Sequence, residues 1–399
     1  MAKREVKVFL SIILTMVLIC GIGVLLVTKT GENSVPVDAP VETEAPAETT
    51  TEPLPTVSVN FLSVGDNLIH DGIYEQAKKR AGGNGYDFSY CYKNIASDVA
   101  AADIATINQE TIISESNQPS GYPLFNSPHE VGDEIAKIGF DVIAMANNHM
   151  LDKGAKGLTE AIDYWDSVDG VVRTGAYKNE EDLNRVEYIE SNGLKIGLVG
   201  VTQYTNGLSL PAGSELKIIY SSNEDVIERK IKAAKESCDM VLVNVHWGNE
   251  YQTTPTQDQK NLAAKMANWG ADVIIGHHPH VIQPVEFIEK ADGTRTLVAY
   301  SLGNFISQQN TPARVVGGML HYTVTKDFNT GSVTISDVKF ETIVTHYVNG
   351  SHDVQIFKLS QYTDELAKKQ SGRLKEPTFG VSYVKDFVSG IIDGQFLDS

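Results

Sequence analysis

Five short clusters along the chain hold residues able to bind a metal or move a proton. They are Asp66 in "SVGD", Asn108 and Glu110 in "INQE", Asn147, Asn148 and His149 in "ANNH", His246 in "NVHWG", and His277, His278 and His280 in "GHHPH". Carboxylate, amide and neutral imidazole together form the donor set of Zn, Mn, Fe and similar divalent ions. Two ions about 3.5–4 Å apart that share a bridging carboxylate need roughly this many ligands. Taken singly, each cluster also has an ordinary structural reading. A histidine after a strand is commonly just hydrogen-bonded, Gly-Asp is common in turns, and "NNH" suits an Asx turn. The set outweighs its members, because five unrelated turns would rarely place such residues at one sheet edge.

These clusters follow short apolar runs. "TVSVNFLSVGD" (56–66), "FDVIAMANNH" (140–149), "KIGLVGVT" (195–202), "MVLVNVHWG" (240–248), "DVIIGHHPH" (272–280) and "TLVAYSLGN" (296–304) each stop at a polar or glycine-rich group. Nearly continuous apolar strands point to sheets buried on both faces. Helical stretches alternate with them. Ser127-Pro128 is expected to cap and open a helix ending near Gly139; "SSNEDVIERKIKAAKES" (221–237) and "PTQDQKNLAAKMANWG" (255–270) read as two more. The alternation implies a layered α/β fold, in which ligands collect at the carboxyl ends of the strands. Residues 321–348 alternate like a hairpin turning at Asn329-Thr330-Gly331, and 363–373 read as a helix. This C-terminal part is expected to complete the second sheet. His321, His346 and His352 are expected in structural or surface positions. There is no internal repeat.

The chain has 399 residues, 42% hydrophobic and 21% charged, with a formal net charge of −18. That charge argues against nucleic acid or an anionic membrane surface as the main partner, since both require clustered Lys and Arg. Cys20, Cys91 and Cys238 show no metal-ligand spacing. Residues 1–7 carry Lys3, Arg4 and Lys7, and residues 8–28 then run for 21 positions without a charge. That run is long enough to span a bilayer, and its basic flank places residues 1–7 in the cytoplasm and the rest outside the cell. No small-x-small cleavage site follows Val27, and Ile19 is bulky for a lipoprotein site at Cys20, so an uncleaved signal anchor is expected. Residues 29–56 form an expected disordered tether. From Thr30 onward they contain five prolines, six acidic residues and neither Lys nor Arg.

"SVGDNLIHDG", "NQE", "ANNHMLDKGAKGL", "VHWGNEY", "GHHPHVIQPVE" and "YSLGNFI", in this order, resemble the successive motifs of the capsule-synthesis CapA family, the poly-γ-glutamate biosynthesis capsule proteins. That family is similar to the calcineurin-like metallophosphoesterases. The resemblance covers residues 57–308, with 309–399 completing the same domain. It implies a four-layer α/β/β/α sandwich with two divalent metal ions (Mn, Fe or Zn). By the same resemblance Asp66 is a metal ligand, Glu110 stands at the bridging position, and Asn148 ligates through its side-chain oxygen. His246 and His278 would hold one ion and His280 the other. His149 would act as general acid or transition-state stabiliser, oriented by Asp152, for which a helix-capping role is the alternative. His70, Asn108, His277 and Asn304 would surround the site, with His277 in a supporting or bystander place.

Two departures from the phosphoesterase pattern stand out: Leu68 occupies the place of an imidazole ligand two residues after Asp66, and Glu110 replaces an aspartate. The implied role is in synthesis, export or retention of poly-γ-glutamate or a related anionic surface polymer, beside other capsule-synthesis membrane proteins. The site would hydrolyse or transfer a phosphoester or amide; the alternative is a non-catalytic, metal-dependent polymer-binding or scaffold component.

Overall fold

Strand β1 (Thr56–Asn67) begins where the proline-rich composition ends. The computed structural model describes residues 56–290, 292–348 and 352–397. The expected segments 1–7 and 8–28, and the tether up to residue 55, lie outside the described residues. Among the described residues no helix is long and apolar enough to cross a membrane.

After β1 come β2 (Ile104–Asn108), β3 (Val142–Ala144), β4 (Val172–Thr174), β5 (Glu187–Ser191), β6 (Leu194–Thr202) and β7 (Met240–His246). They are followed by β8 (Val273–His277), β9 (Val285–Glu289), β10 (Arg295–Ala299), β11 (Asn304–Ile306), β12 (Val316–Asp327), β13 (Val333–Val348) and β14 (His352–Lys358). Two sheets result. One has eight strands in the order β14-β13-β12-β1-β2-β3-β4, with β11 also pairing β1; the other has six, in the order β5-β6-β7-β8-β10-β9. The β12–β13 hairpin forms as read, but it pairs with β1 and so extends the first sheet rather than the second. The long β1 offers β12 nine paired positions, Thr56 to Val64, along the edge opposite β2.

The longer helices are α1 (Asp71–Arg80), α2 (His129–Ile138), α3 (Gly154–Ser167), α4 (Glu224–Ser237), α5 (Gln257–Trp269), α6 (Asp364–Leu374) and α7 (Val381–Ser389). Helix α5 starts at a capping box between Thr256 and Gln259 and stops at Gly270, whose φ of 119° only glycine adopts without strain. Helix α2 ends at Gly139 as expected, but Pro128 is its cap residue and makes no side-chain cap bond. Ser127 is engaged elsewhere, with its hydroxyl 2.6 Å from that of Thr111.

Strand β7 shows why the second sheet reads as continuously apolar. Val241, Val243 and Val245 join a core with Ile227 and Ile231 of α4 and Leu262 and Met266 of α5. Met240 and Leu242 alternate with them and join the larger core shared with the first sheet. Each such side chain contributes about 1.5–3 kcal/mol when fully buried, and the one polar residue in the strand before His246, Asn244, is buried against His277.

Parallel register aligns the strand ends. Asp66 pairs with Asn108 on one side and Asn304 on the other, while in the second sheet His246 pairs with Thr202 and His277. Asp66 thus sits in extended strand rather than in a turn. Its glycine neighbour is explained by crowding: a Cβ on Gly65 would lie 1.9 Å from the Gly303 carbonyl oxygen. Gly276 is equally constrained, with the Tyr300 oxygen at 1.9 Å and Trp247 Nε1 at 2.5 Å from its would-be Cβ. Gly276→Ala is therefore expected to cost at least about 1–3 kcal/mol by overpacking, seen as a lower thermal midpoint; an unchanged midpoint would show that the backbones separate freely.

Candidate metal centre

The aligned strand ends bring the sequence clusters to one buried place. Asp66 and Glu110 are both fully buried, as is His278, and His246 and His280 are nearly so. Three groupings of donor atoms each fall within 4.8 Å: Glu110 with His246 and His278, Asp66 with Glu110 and His280, and Glu250 with His278 and His280. Glu110 belongs to two of them.

The first sheet sets Asp66 through Asn108, whose Nδ2 donates to Asp66 Oδ1 at 2.8 Å, and Asn147 Nδ2 reaches Asn108 Oδ1 at 3.4 Å. Beyond β3, Asn147 Oδ1 accepts the backbone N–H of His149 at 3.0 Å, fixing the "NNH" turn. Asn148 Oδ1 then lies 3.0 Å from His246 Nε2. His149 Nδ1 meets Asp152 Oδ2 at 2.8 Å, and the same oxygen accepts the Phe125 N–H at 2.7 Å. Lys153 is the cap residue of α3 and makes no side-chain cap bond, so Asp152 orients His149 and is not a cap.

The second sheet supplies the imidazoles. His278 and His280 have φ of 97° and 56°, left-handed backbone that a β-carbon disfavours. Flanking Pro279, this geometry turns both rings from the strand line toward Asp66 and Glu110. The backbone is held there by Trp247 N–H on the His277 oxygen (3.1 Å) and Tyr251 N–H on the Pro279 oxygen (2.8 Å). His280 Nδ1 is 3.1 Å from Asn304 Oδ1 and 3.3 Å from Asp66 Oδ2, and its Nε2 is 3.7 Å from Glu110 Oε1. His277 is buried against Asp66 too, with Nδ1 at 3.5 Å from Oδ1 and Nε2 at 3.3 Å from Asn244 Oδ1. It supports Asp66 and is not a bystander.

His70 stands farther out. Its Nδ1 lies between the Leu68 oxygen (3.1 Å) and the Gln308 nitrogen (3.3 Å), and its ring packs edge-on against Phe125, which packs edge-on against His149. It belongs to none of the donor groupings. Leu68 is buried in the core.

Glu250, four residues after His246, joins the third grouping. Two residues escaped the sequence reading. Tyr204 brings its hydroxyl against His278 Nε2. Asn206 contacts Asn148 at 3.3 Å and His149 Nδ1 at 3.4 Å. Tyr204 and Asn206 lie just past β6, another polar strand end at the same edge, and that position was the available signal.

The donors fit a divalent cation. Both oxygens of Glu110 are buried without a hydrogen-bond partner, as are His277 Nδ1 and His278 Nδ1. A carboxylate so placed is costly unless a cation meets it. Burial, then the Asp66 and neighbouring charges, push the Glu110 pKa well above the carboxylate range, against the pull of His280. Burial would raise Asp66 as well, but His277 and His280 outweigh it and hold its pKa well below the usual value. Burial would lower His280, yet Glu110 and Asp66 raise it to about 9. Burial, reinforced by neighbouring histidines, lowers His246 well below its ordinary value and His278 to about 3.

The bacterial capsule synthesis protein PGA_cap family model matches residues 60–309. An α/β chain with this motif order over more than half its length belongs to that family. It is 31% identical over 235 residues to the capsule biosynthesis protein CapA of Bacillus anthracis, covering 57% of this chain and 56% of that protein. It is 29% identical over 204 residues to the PGA biosynthesis protein CapA of Bacillus subtilis strain 168, covering 51% and 52%. The chain thus spans little more than half the length of these curated relatives. Among solved structures it is similar to a phosphatase from Mycoplasma pneumoniae (14% identity, TM-score 0.42, 73% of this chain and 95% of that one). It is also similar to a putative 5'-nucleotidase from Staphylococcus aureus (16%, 0.45, 71% and 54%). Likeness of that degree carries no argument, and the fold stands on the strand order above.

Burial holds His246 and His278 toward their neutral forms and Glu110 toward its protonated form, while His280, raised to about 9 by the neighbouring carboxylates, carries at pH 7 a proton that a cation must displace. Mn²⁺ added to the chain at pH 7 in weak buffer is expected to release about one to two protons per cluster loaded. The release should fall, and affinity rise, as pH climbs through about 9, where His280 deprotonates unaided. Mn²⁺ uptake without proton release would contradict this charge assignment.

Proposed function

We propose that this chain is a capsule-synthesis protein whose buried cluster holds two divalent ions and acts as a hydrolase-type site. Glu110 carries the reading: a fully buried carboxylate with two unpartnered oxygens, common to two donor groupings. It would bridge the ions, with Asp66 and His280 on one side and Asn148, His246 and His278 on the other. Mn, Fe and Zn all suit these donors. When bound, such ions supply Lewis-acid polarisation of the scissile group and make water nucleophilic near neutral pH. The two sheets, with α4 and α5 against one and α1–α3 with the other, are read as the four-layer α/β/β/α sandwich of the metallo-dependent phosphatases.

His149 does the proton work. Asp152 takes up its Nδ1, which leaves Nε2 to donate to a leaving group or to stabilise developing charge. The reaction is hydrolysis or transfer at a phosphoester, or at an amide of an anionic polymer. In the cell, residues 8–28 would anchor the chain in the membrane with its main domain outside. Its partners there would be other capsule-synthesis membrane proteins and poly-γ-glutamate or a related polymer. The names of the two CapA relatives and the family match support that setting.

The test is metal content per mole of the detergent-purified full chain, together with metal-dependent hydrolysis of bis(p-nitrophenyl) phosphate. About two equivalents are expected. His149→Ala should cost about 10²–10⁴-fold in kcat with metal content unchanged. Metal-dependent poly-γ-glutamate binding without turnover of any ester or amide would favour the non-catalytic polymer-binding reading; absence of bound metal after loading would end both.

A further inference from the structure

Arg314 stands beside this cluster. The Arg314 guanidinium lies over the Tyr251 ring, 3.3 Å from its centroid, and no carboxylate pairs with it among the described residues. The same Tyr251 ring is 6.2 Å from that of His280, centroid to centroid. The backbone is tied to the same place: Asn304 Nδ2 donates to the Arg314 oxygen at 2.9 Å while Asn304 Oδ1 sits 3.1 Å from His280 Nδ1. One aromatic ring therefore contacts both a half-buried guanidinium and a histidine of the cluster, and one asparagine sets the position of both.

Exposed apolar side chains lie nearby, beside the Glu250 carboxylate, which accepts a hydrogen bond from the Tyr251 hydroxyl. The large hydrophobic side chains exposed among the described residues are Tyr122, Leu124, Tyr188, Leu208 and Tyr251. All but Tyr188 lie on loops that touch the cluster. Phe125, next to Leu124, packs on His149; Asn206, two residues before Leu208, contacts His149; Tyr251 faces His280. The protein is strongly acidic overall. An unpaired arginine held flat on a ring in such a setting has its hydrogen-bonding edge available for an oxyanion, which its planar fork meets with two parallel bonds.

We propose that Arg314, positioned by Tyr251 and Asn304, recognises a second anionic group on the substrate, a carboxylate or phosphate joined to the reacting group by an apolar stem. This rests on the reading of the cluster as a metal-dependent site and adds what kind of molecule enters it. Arg314 is then a specificity residue: its loss weakens binding of doubly anionic ligands and leaves singly anionic ones untouched.

The experiment measures binding by calorimetry to the Mn²⁺-loaded full chain, so no turnover is needed. The probes are phenylphosphonate, 4-carboxyphenylphosphonate and 1,4-phenylenediphosphonate. Wild type should bind one or both doubly anionic probes about tenfold or more tighter than phenylphosphonate, and the preferred one identifies the second group as carboxylate or phosphate. Arg314→Gln should erase that preference, Arg314→Lys restore part of it, and Tyr251→Phe, which keeps the stacking face, retain it. A purely structural arginine would weaken all three probes together in Arg314→Gln. That result, an intact preference in Arg314→Gln, or no preference in wild type overturns the proposal. If phenylphosphonate binds equally with and without Mn²⁺ while the Arg314-dependent preference persists, the metal-site reading fails and the Arg314 assignment stands.

Discussion

Two carboxylates, Asp66 and Glu110, are fully buried within reach of the same imidazole, His280, and the arrangement around them follows from balancing that charge. Removing an ionised carboxylate from water costs several kcal/mol unless it is paired. The protein pairs one and leaves the other. Asp66 receives His277, His280, the Asn108 amide and the His278 backbone N–H, and stays ionised. Glu110 has ion-pair contacts near 3.7–3.8 Å but no hydrogen bond, and is pushed toward its neutral form. Two like groups driven in opposite directions by their environments mark a site built for a charge it does not itself contain.

The same need explains the strained backbone. A β-strand ending in the ordinary way would leave successive side chains of "HHPH" on alternating faces. His277 does this, remaining in register beside His246 and pointing at Asp66. His278 and His280 escape the alternation only because both adopt left-handed φ, at a cost of order 1–3 kcal/mol each. The N–H groups of Trp247 and Tyr251 hold the segment in that shape. Three neighbouring histidines thus divide into one that braces a carboxylate and two that face the cavity.

Much of this was legible in the sequence, and what was missed has a physical pattern. Strand ends are readable because apolar periodicity stops sharply, so Asp66, Asn108, Glu110, Asn148, His149 and His246 could be placed at one edge. Gly65 looked like a turn residue because a glycine required by close packing is indistinguishable, in one sequence, from one required by dihedral angle. Pairing of β12 with β1 rather than with the second sheet was equally hidden, since alternation tells which face of a strand is buried and not which neighbour it chooses. Tyr204 and Asn206 lie in a loop without periodicity, where only the path of the folded backbone brings a side chain to the site.

The origin of the donors adds a mechanical consequence. Asp66, Glu110, Asn148 and His149 come from the first sheet and the segments that leave it, whereas His246, His278 and His280 come from the second. In the two groupings that contain Glu110, the acids come from the first sheet and the imidazoles from the second. A cation at this place would therefore clasp the two sheets as well as serve chemistry, and its binding energy would add to the apolar packing between them. Without a cation, the contacts of His280 with Asp66 and Glu110 join the sheets less strongly, because each ion pair must overcome the burial of both partners. The buried charge that makes the site chemically able is thus also what ties its rigidity to its occupancy.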